Sequence, residues 1–300
     1  MISIIIPARN EPYLVKTVDD LLAKAQGEIE IIVVLDGYWP DPMPTIPLPY
    51  GETPLDPPSK KVIILHRGLA RGMRPAINSA VEIARGEHIL KCDAHCMFDV
   101  GYDTKLVADC EDNWISVPRR KRLLPDTWSI LEDGRPDIDY EYMCYPYRKG
   151  ELVGLHGLIW DEKNKDKSLK DDLIVDLMAA QGSCWFMHRS YYKELELLDD
   201  INYGTFFAEF QEIALKCWLS GGRIVRNKKT WYAHWYKGKH RGYSLHQDVY
   251  VPRNYTMKWL NFQEAWPKQT LPLEWLIEKF SPVPGWAEKS EIGDEISQCE

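Results

Sequence analysis

Asp93-Ala94-His95-Cys96 follows the apolar run Ile89-Leu90, so a carboxylate and an imidazole stand two apart where a buried strand should end. Such a pair can hold a divalent metal. A hard carboxylate beside a borderline imidazole suits manganese or another first-row ion better than magnesium, which prefers all-oxygen shells. The tetrapeptide also has a structural reading, because a strand-terminal Asp and a partly buried His often serve only as hydrogen-bonding groups.

Chemistry at one place requires elements that aim these residues together. Residues 2–6 read as a buried strand, 13–25 as a helix and 29–35 as a second strand. After Asp36-Gly37 a proline-rich loop runs through Pro58, followed by a strand at 62–65, a helix at 73–84 and a strand at 88–92. Strands joined by helices imply a parallel sheet, whose functional loops lie at the carboxyl ends of the strands. Asn10, Asp36, Arg67 and Asp93 all follow such strands, so one crevice can collect them. Residues 118–170 are less regular, rich in charge, aromatics and turn signals, and read as a long excursion able to line an acceptor site. Regularity returns with a strand at 184–188, a helix at 207–220 ended by Gly221-Gly222, and short strands at 223–226 and 230–236. A further helix is expected at 273–280, and 288–300 reads as a solvated acidic tail.

With 300 residues and 45% hydrophobic content the chain can bury a substantial core. No apolar stretch approaches the roughly 20 residues needed to span a bilayer, and no basic region or cleavage site precedes Ile2, so a soluble, cytoplasmic protein is expected. Cysteines at 92, 96, 110, 144, 184, 217 and 299 are odd in number and scattered, as in a reducing compartment. Cys92 and Cys96 lack a second nearby pair, which argues against a zinc knuckle. The net charge of -8 argues against broad capture of nucleic acid, although Arg119-Arg120-Lys121-Arg122 could form a local basic groove. The 12 Trp and 16 Tyr exceed an ordinary core's needs and offer flat faces for sugars or bases, with core packing the commoner use.

Several segments, in order, resemble family 2-type glycosyltransferases of the GT-A fold, especially the polypeptide GalNAc-transferase branch, over roughly residues 2–237. Ile6-Pro7-Ala8-Arg9-Asn10-Glu11 is similar to the family's opening strand and turn, and Glu30 to Asp36 to its second strand, with Leu35 where a first acid often stands. Gly68-Leu69-Ala70-Arg71 and the helix after it resemble the approach to the metal motif, which Asp93-Ala94-His95 supplies in DxH form. Gln181 to Phe186 resembles the strand beside the acceptor, Glu209-Phe210-Gln211-Glu212 the helix carrying a site acid, and Trp231-Tyr232-Ala233-His234 the strand whose last His completes the metal shell. Phe207-Ala208 replaces the family's paired glycines before that acid. No membrane anchor or lectin repeat is seen, which counts against a Golgi mucin-type enzyme; residues 275–286 resemble the tails of phage-encoded transferases, which implies action in a host cytoplasm.

The resemblance implies an α/β GT-A catalytic domain over 1–240, with a nucleotide-sugar half at 1–100 and an acceptor half at 101–240, then an aromatic-rich extension at 241–287 and the acidic tail. It implies transfer of a sugar from a nucleotide-diphosphate donor, UDP-linked, to a hydroxyl, with Mn2+ or another divalent cation held by Asp93, His95 and His234. Pro7, Arg9, Glu11 and Asp36 would contact the nucleotide, where turn formation is the competing use. Arg71 would approach the donor, with Arg67 and Arg74 as unranked rivals for the phosphates. Glu209 would be the general base of an inverting enzyme or would position the acceptor in a retaining one, and Trp185 and Trp231 would wall the sugar or acceptor. The acceptor stays open between saccharide, polypeptide and a hydroxymethylated pyrimidine of phage DNA, the last needing a basic channel from residues 119–122 and 237–241. Competing functions are a sugar-nucleotide-binding or carbohydrate-binding protein without turnover and a nucleotidyltransferase, which fits less well for want of a glycine-rich phosphate loop.

Overall fold

The computed structural model describes residues 1–43, 60–149, 152–238, 241–243 and 266–286. The loop residues 44–59, most of the aromatic-rich extension and the acidic tail lie outside the described residues. The strands are β1 (Ile2–Ala8), β2 (Ile29–Asp36), β3 (Lys60–Arg67), β4 (His88–Cys92), β5 (Cys96–Phe98), β6 (Trp114–Leu124), β7 (Ser129–Ile130), β8 (Glu141–Lys149), β9 (Leu152–Ile159), β10 (Ile174–Asp176), β11 (Cys184–His188) and β12 (Arg223–His234). The helices are α1 (Leu14–Lys24), α2 (Met73–Ile83), α3 (Tyr102–Ala108), α4 (Asp161–Lys165), α5 (Arg189–Glu194), α6 (Asp200–Tyr203), α7 (Glu209–Leu219) and α8 (Leu273–Phe280).

One mixed sheet organises the molecule, in the order β10-β12-β6-β11-β4-β1-β2-β3, with β5 on β12 and β7 on β6. β3, β2, β1 and β4 run parallel, β11 lies antiparallel between β4 and β6, and β12 runs parallel to β6. β2 and β4 are buried along their whole length, which explains why they read as unbroken rather than alternating apolar runs. Successive side chains still part to opposite faces. Ile4 and Ile6 pack with Leu14, Val18 and Leu21 of α1, whereas Ile5 packs with Ala76, Ile77 and Ala80 of α2. Both helices carry their buried residues three and four apart, so each presents one apolar stripe to the sheet.

Two expectations change. The strands read at 223–226 and 230–236 are a single strand, β12, whose register against β6 shifts between Asn227 and Trp231. The segment at 118–170 begins inside the sheet as β6 and continues into an antiparallel β8–β9 hairpin, so it is more regular than its composition suggests. Its charge pattern hid the strand, because Arg119 and Lys121 are paired with Asp139 and Asp137 rather than fully solvated.

The described part of the C-terminal extension joins the main core. Leu219 of α7 accepts backbone hydrogen bonds from Thr270 and Leu271, Trp218 meets Phe280 edge-on at 5.5 Å, and the Trp286 indole donates to the Met143 carbonyl at 2.7 Å. Among the described residues no helix is long and apolar enough to cross a membrane.

Candidate active site

A cleft of about 1850 Å³ opens at the carboxyl ends of the parallel strands, lined by Pro7, Arg9 and Glu11 after β1, Asp36 of β2, Arg71 before α2, Asp93 and His95 after β4, Glu209 at the start of α7 and His234 at the end of β12. The turn at 93–96 is clamped from three sides. The Asp93 amide donates to the Ser183 carbonyl at 2.9 Å, the Cys96 amide to Thr17 Oγ1 of α1 at 3.1 Å, and the Trp235 amide to the His95 carbonyl at 3.2 Å. Pairing of β5 with β12 sets Cys96 opposite His234, which brings the distant imidazole to the DxH turn.

Asp93, His95 and His234 place their ligand atoms within 4.8 Å of one another. Asp93 Oδ2 lies 3.2 Å from His234 Nε2 and 3.8 Å from His95 Nε2. The other nitrogen of His95, Nδ1, is 2.9 Å from Glu11 Oε2, and Lys237 Nζ holds the second Glu11 oxygen at 2.8 Å. A carboxylate on one imidazole nitrogen fixes the tautomer and leaves the other nitrogen's lone pair for a metal. Burial pushes His234 down to about 4, with His95 adding to the effect and Asp93 opposing it, so its imidazole is neutral near pH 7. Burial alone would raise the Asp93 carboxyl, but the Lys91 ammonium and the two histidines hold it well below the usual carboxylate range. One carboxylate and two imidazoles fit a first-row divalent cation.

Lys91 was not singled out by sequence reasoning, yet it joins Asp93 to Glu209. It is fully buried, with Nζ 2.8 Å from Asp93 Oδ1, 3.2 Å from Glu209 Oε1 and 2.5 Å from the Gly182 carbonyl. Burial favours loss of its proton, but the two carboxylates outweigh it and keep the ammonium. A signal was there to find: a lysine within the apolar strand His88–Cys92 must be paired if buried. Glu209 is raised above its ordinary range by burial, against the pull of Lys91, and its Oε1 also accepts the Trp185 indole N–H at 2.8 Å.

Neither tryptophan walls the cleft. Trp185 has no exposed surface and stacks on Tyr192, so it orients Glu209 from beneath. Trp231 stands an odd number of residues from His234 on β12, so it points to the opposite face, where it packs by Met97 and Leu123. The three arginines separate clearly. Arg67 binds the Pro75 carbonyl, Ser79 and Asp36; Arg74 is buried against Glu212, the Phe207 carbonyl and the Tyr203 ring; Arg71 is exposed and lines the cleft. Asp36 accepts the backbone N–H of Arg71 at 2.9 Å and of Gly72 at 2.8 Å, which shapes the turn that presents Arg71.

The Arg9 to Glu11 turn is pinned by Lys237, read from the sequence as part of a basic channel, and by Tyr243, which sequence reasoning did not assign. Lys237 Nζ donates to the Asn10 carbonyl at 2.8 Å, where Asn10 takes a left-handed φ of 52°, and the Arg9 guanidinium lies 4.3 Å from the centre of the Tyr243 ring. The basic run is internally paired: Arg119 with Asp139, Arg120 with Glu141 and Gln181, Lys121 with Asp137, and Arg122 with the Pro136 carbonyl. Within the second basic run, Lys239 and His240 lie outside the described residues.

Residues 3–196 match the family described as glycosyl transferase family 2. No curated protein matches the chain. Among solved structures, GalNAc-T7 with UDP, GalNAc and Mn2+ is similar at 20% identity and a TM-score of 0.63, covering 94% of this chain and 56% of that one. S. aureus TarS 1-349 is similar at 13% identity and a TM-score of 0.51, covering 98% and 76%, and its complex with UDP-GlcNAc at 16% and 0.50, covering 98% and 77%. The chain thus spans little more than half the GalNAc-T7 chain, and the likeness at these identities is one of fold: an α/β, GT-A-like mixed sheet flanked by helices.

Proposed function

The chain belongs to glycosyl transferase family 2, and from that premise we propose that it is a metal-dependent enzyme moving a sugar from UDP to a hydroxyl acceptor. The observation that carries this reading is the convergence of Asp93, His95 and His234 in the same cleft as Glu209, with Lys91 joining the two sides. Similar folds solved with UDP, GalNAc and Mn2+ and with UDP-GlcNAc support the donor class. A manganese or related divalent ion held by Asp93, His95 and His234 would neutralise charge gathering on the leaving diphosphate.

The chain's own groups do the remainder. Glu11 orients His95, and Lys91 keeps Asp93 ionised and aimed. Arg71 supplies a cleft guanidinium for the diphosphate, on a turn shaped by Asp36, while Pro7 and Arg9 border the nucleotide side. Glu209, steadied by Trp185, holds the attacking hydroxyl, and its raised pKa equips it to take up the proton released as the new bond forms. The cations of residues 119–122 have protein acceptors, yet Arg120, Lys121 and Arg122 also line the cleft, so a saccharide, a polypeptide and a nucleic acid are all acceptors to be tried.

The test is release of nucleoside diphosphate from a panel of UDP- and GDP-sugars with manganese, for the wild type and His95→Ala. We expect UDP release that falls on the order of 100-fold in the variant. Unchanged turnover and metal dependence in His95→Ala would remove the metal assignment. Pyrophosphate instead of UDP would indicate nucleotidyl transfer, and no release with any donor a binding protein.

A further inference from the structure

A second set of metal-ligating side chains converges at the end of the sheet opposite the cleft. His88 is the first residue of β4 and His188 the last of β11, and antiparallel pairing places them directly across from each other. Their Nε2 atoms are 3.2 Å apart, and Cys110, two residues beyond α3, brings its sulfur within 4.8 Å of both. β4 has five residues and carries Asp93 just past its other end, so about 16 Å of strand separates the two clusters.

The donors differ in kind from those of the cleft. Two imidazole nitrogens and a thiol sulfur form a set that zinc takes, with bonds of about 2.0 Å to nitrogen and about 2.3 Å to sulfur. Two such zinc–nitrogen bonds meeting at a tetrahedral angle need about 3.3 Å between the nitrogens, close to the 3.2 Å observed. Asp112, fully exposed, has Oδ1 3.6 Å from His188 Nε2 but stands outside the converging set of three.

The positions are also set in advance. The His88 ring stacks on Phe186 at 5.2 Å, strand pairing holds both histidine backbones, and the Cys110 amide is tied to the Val107 carbonyl. The thiol lies 3.6 Å from the Glu111 carbonyl and 4.0 Å from that of Trp114, and the His188 backbone hydrogen-bonds to it. His188 and Cys110 are partly exposed, which leaves a path for an ion from solvent.

We propose that His88, Cys110 and His188, with a solvent molecule as fourth ligand, form a structural Zn2+ centre distinct from the cleft, tying the loop after α3 to the two central strands. Binding forms a zinc–sulfur bond and releases the Cys110 thiol proton to solvent.

Cobalt(II) reports the ligand set when added stoichiometrically to the metal-free full-length chain, because a thiolate ligand produces a ligand-to-metal charge-transfer band that nitrogen and oxygen ligands do not. The band is expected in the wild type and in the His95→Ala/His234→Ala double variant, and is expected to vanish when equimolar zinc is added. Cys110→Ser and His188→Asn, made separately so that one misfolded variant does not decide the matter, should lose it. Zinc should raise the Tm of the His95→Ala/His234→Ala double variant but leave the triple variant that adds Cys110→Ser unmoved. Absence of the band from the wild type, or its survival in Cys110→Ser, would overturn the proposal.

Discussion

Glu11 illustrates how a residue's role depends on what its neighbours leave free. As part of the opening turn it reads as a nucleotide contact, but one oxygen faces His95 Nδ1 and the other takes Lys237. Carboxylates behind metal-bound histidines are worth about 10–100-fold in metal affinity or activity. Glu11→Gln should therefore raise the manganese concentration for half-maximal UDP release by about 10–100-fold, with a smaller effect on the donor KM at saturating metal. A shift in donor KM alone would place Glu11 on the nucleotide instead. DxH, His234 and Glu209 were legible in the sequence because ordered motifs carried them; Lys91 and the role of Lys237 were not, because their significance lies in partners far along the chain.

At the scale of elements, the start of α7 stores backbone strain. Ala208 takes a left-handed φ of 57° as the residue before Glu209, a conformation that suits glycine better than alanine. An L-residue in that region costs about 1–2 kcal/mol, partly offset because glycine gains more freedom in the unfolded chain. Ala208→Gly should thus stabilise the protein by about 0.5–1 kcal/mol, seen as a higher urea midpoint at unchanged m-value. A lower midpoint would mean that the methyl's packing outweighs the strain. The β6 strand teaches the complementary point: a run of four cations read as a surface or a groove lies in the sheet with an acceptor for each, while Arg120, Lys121 and Arg122 also line the cleft.

For the whole molecule, the sheet order matters more than any single strand, since β11 inserted antiparallel between β4 and β6 places Trp185 and Gly182 beneath the cleft. Charges buried between elements hold that arrangement. Glu30 accepts from Ser3 Oγ of β1 and from the Arg85 amide before β4, each at 2.6 Å, and pairs with Lys61 of β3. Burial raises its pKa, but these partners together outweigh it and the folded value lies below the ordinary one. A depressed folded pKa stabilises the protein above the ordinary carboxylate range, and that stabilisation is lost as pH falls through the folded value. Urea unfolding of the wild type and Glu30→Gln should therefore show a wild-type advantage near pH 7 that shrinks at about pH 3.5. An advantage that does not change with pH would exclude ionised Glu30 as its source.

The sequence by itself determined the α/β alternation, the family and the Asp93-Ala94-His95 turn that is proposed here to hold a metal, because apolar periodicity and short ordered motifs are local properties of the chain. Only the tertiary structure distinguished Arg71 from Arg67 and Arg74, moved Trp185 from cleft wall to support for Glu209, and set His88, Cys110 and His188 together. The physical reason is that a side chain's function depends on what it faces. That is decided by strand order, register and burial, which bring together groups that no spacing along the chain relates.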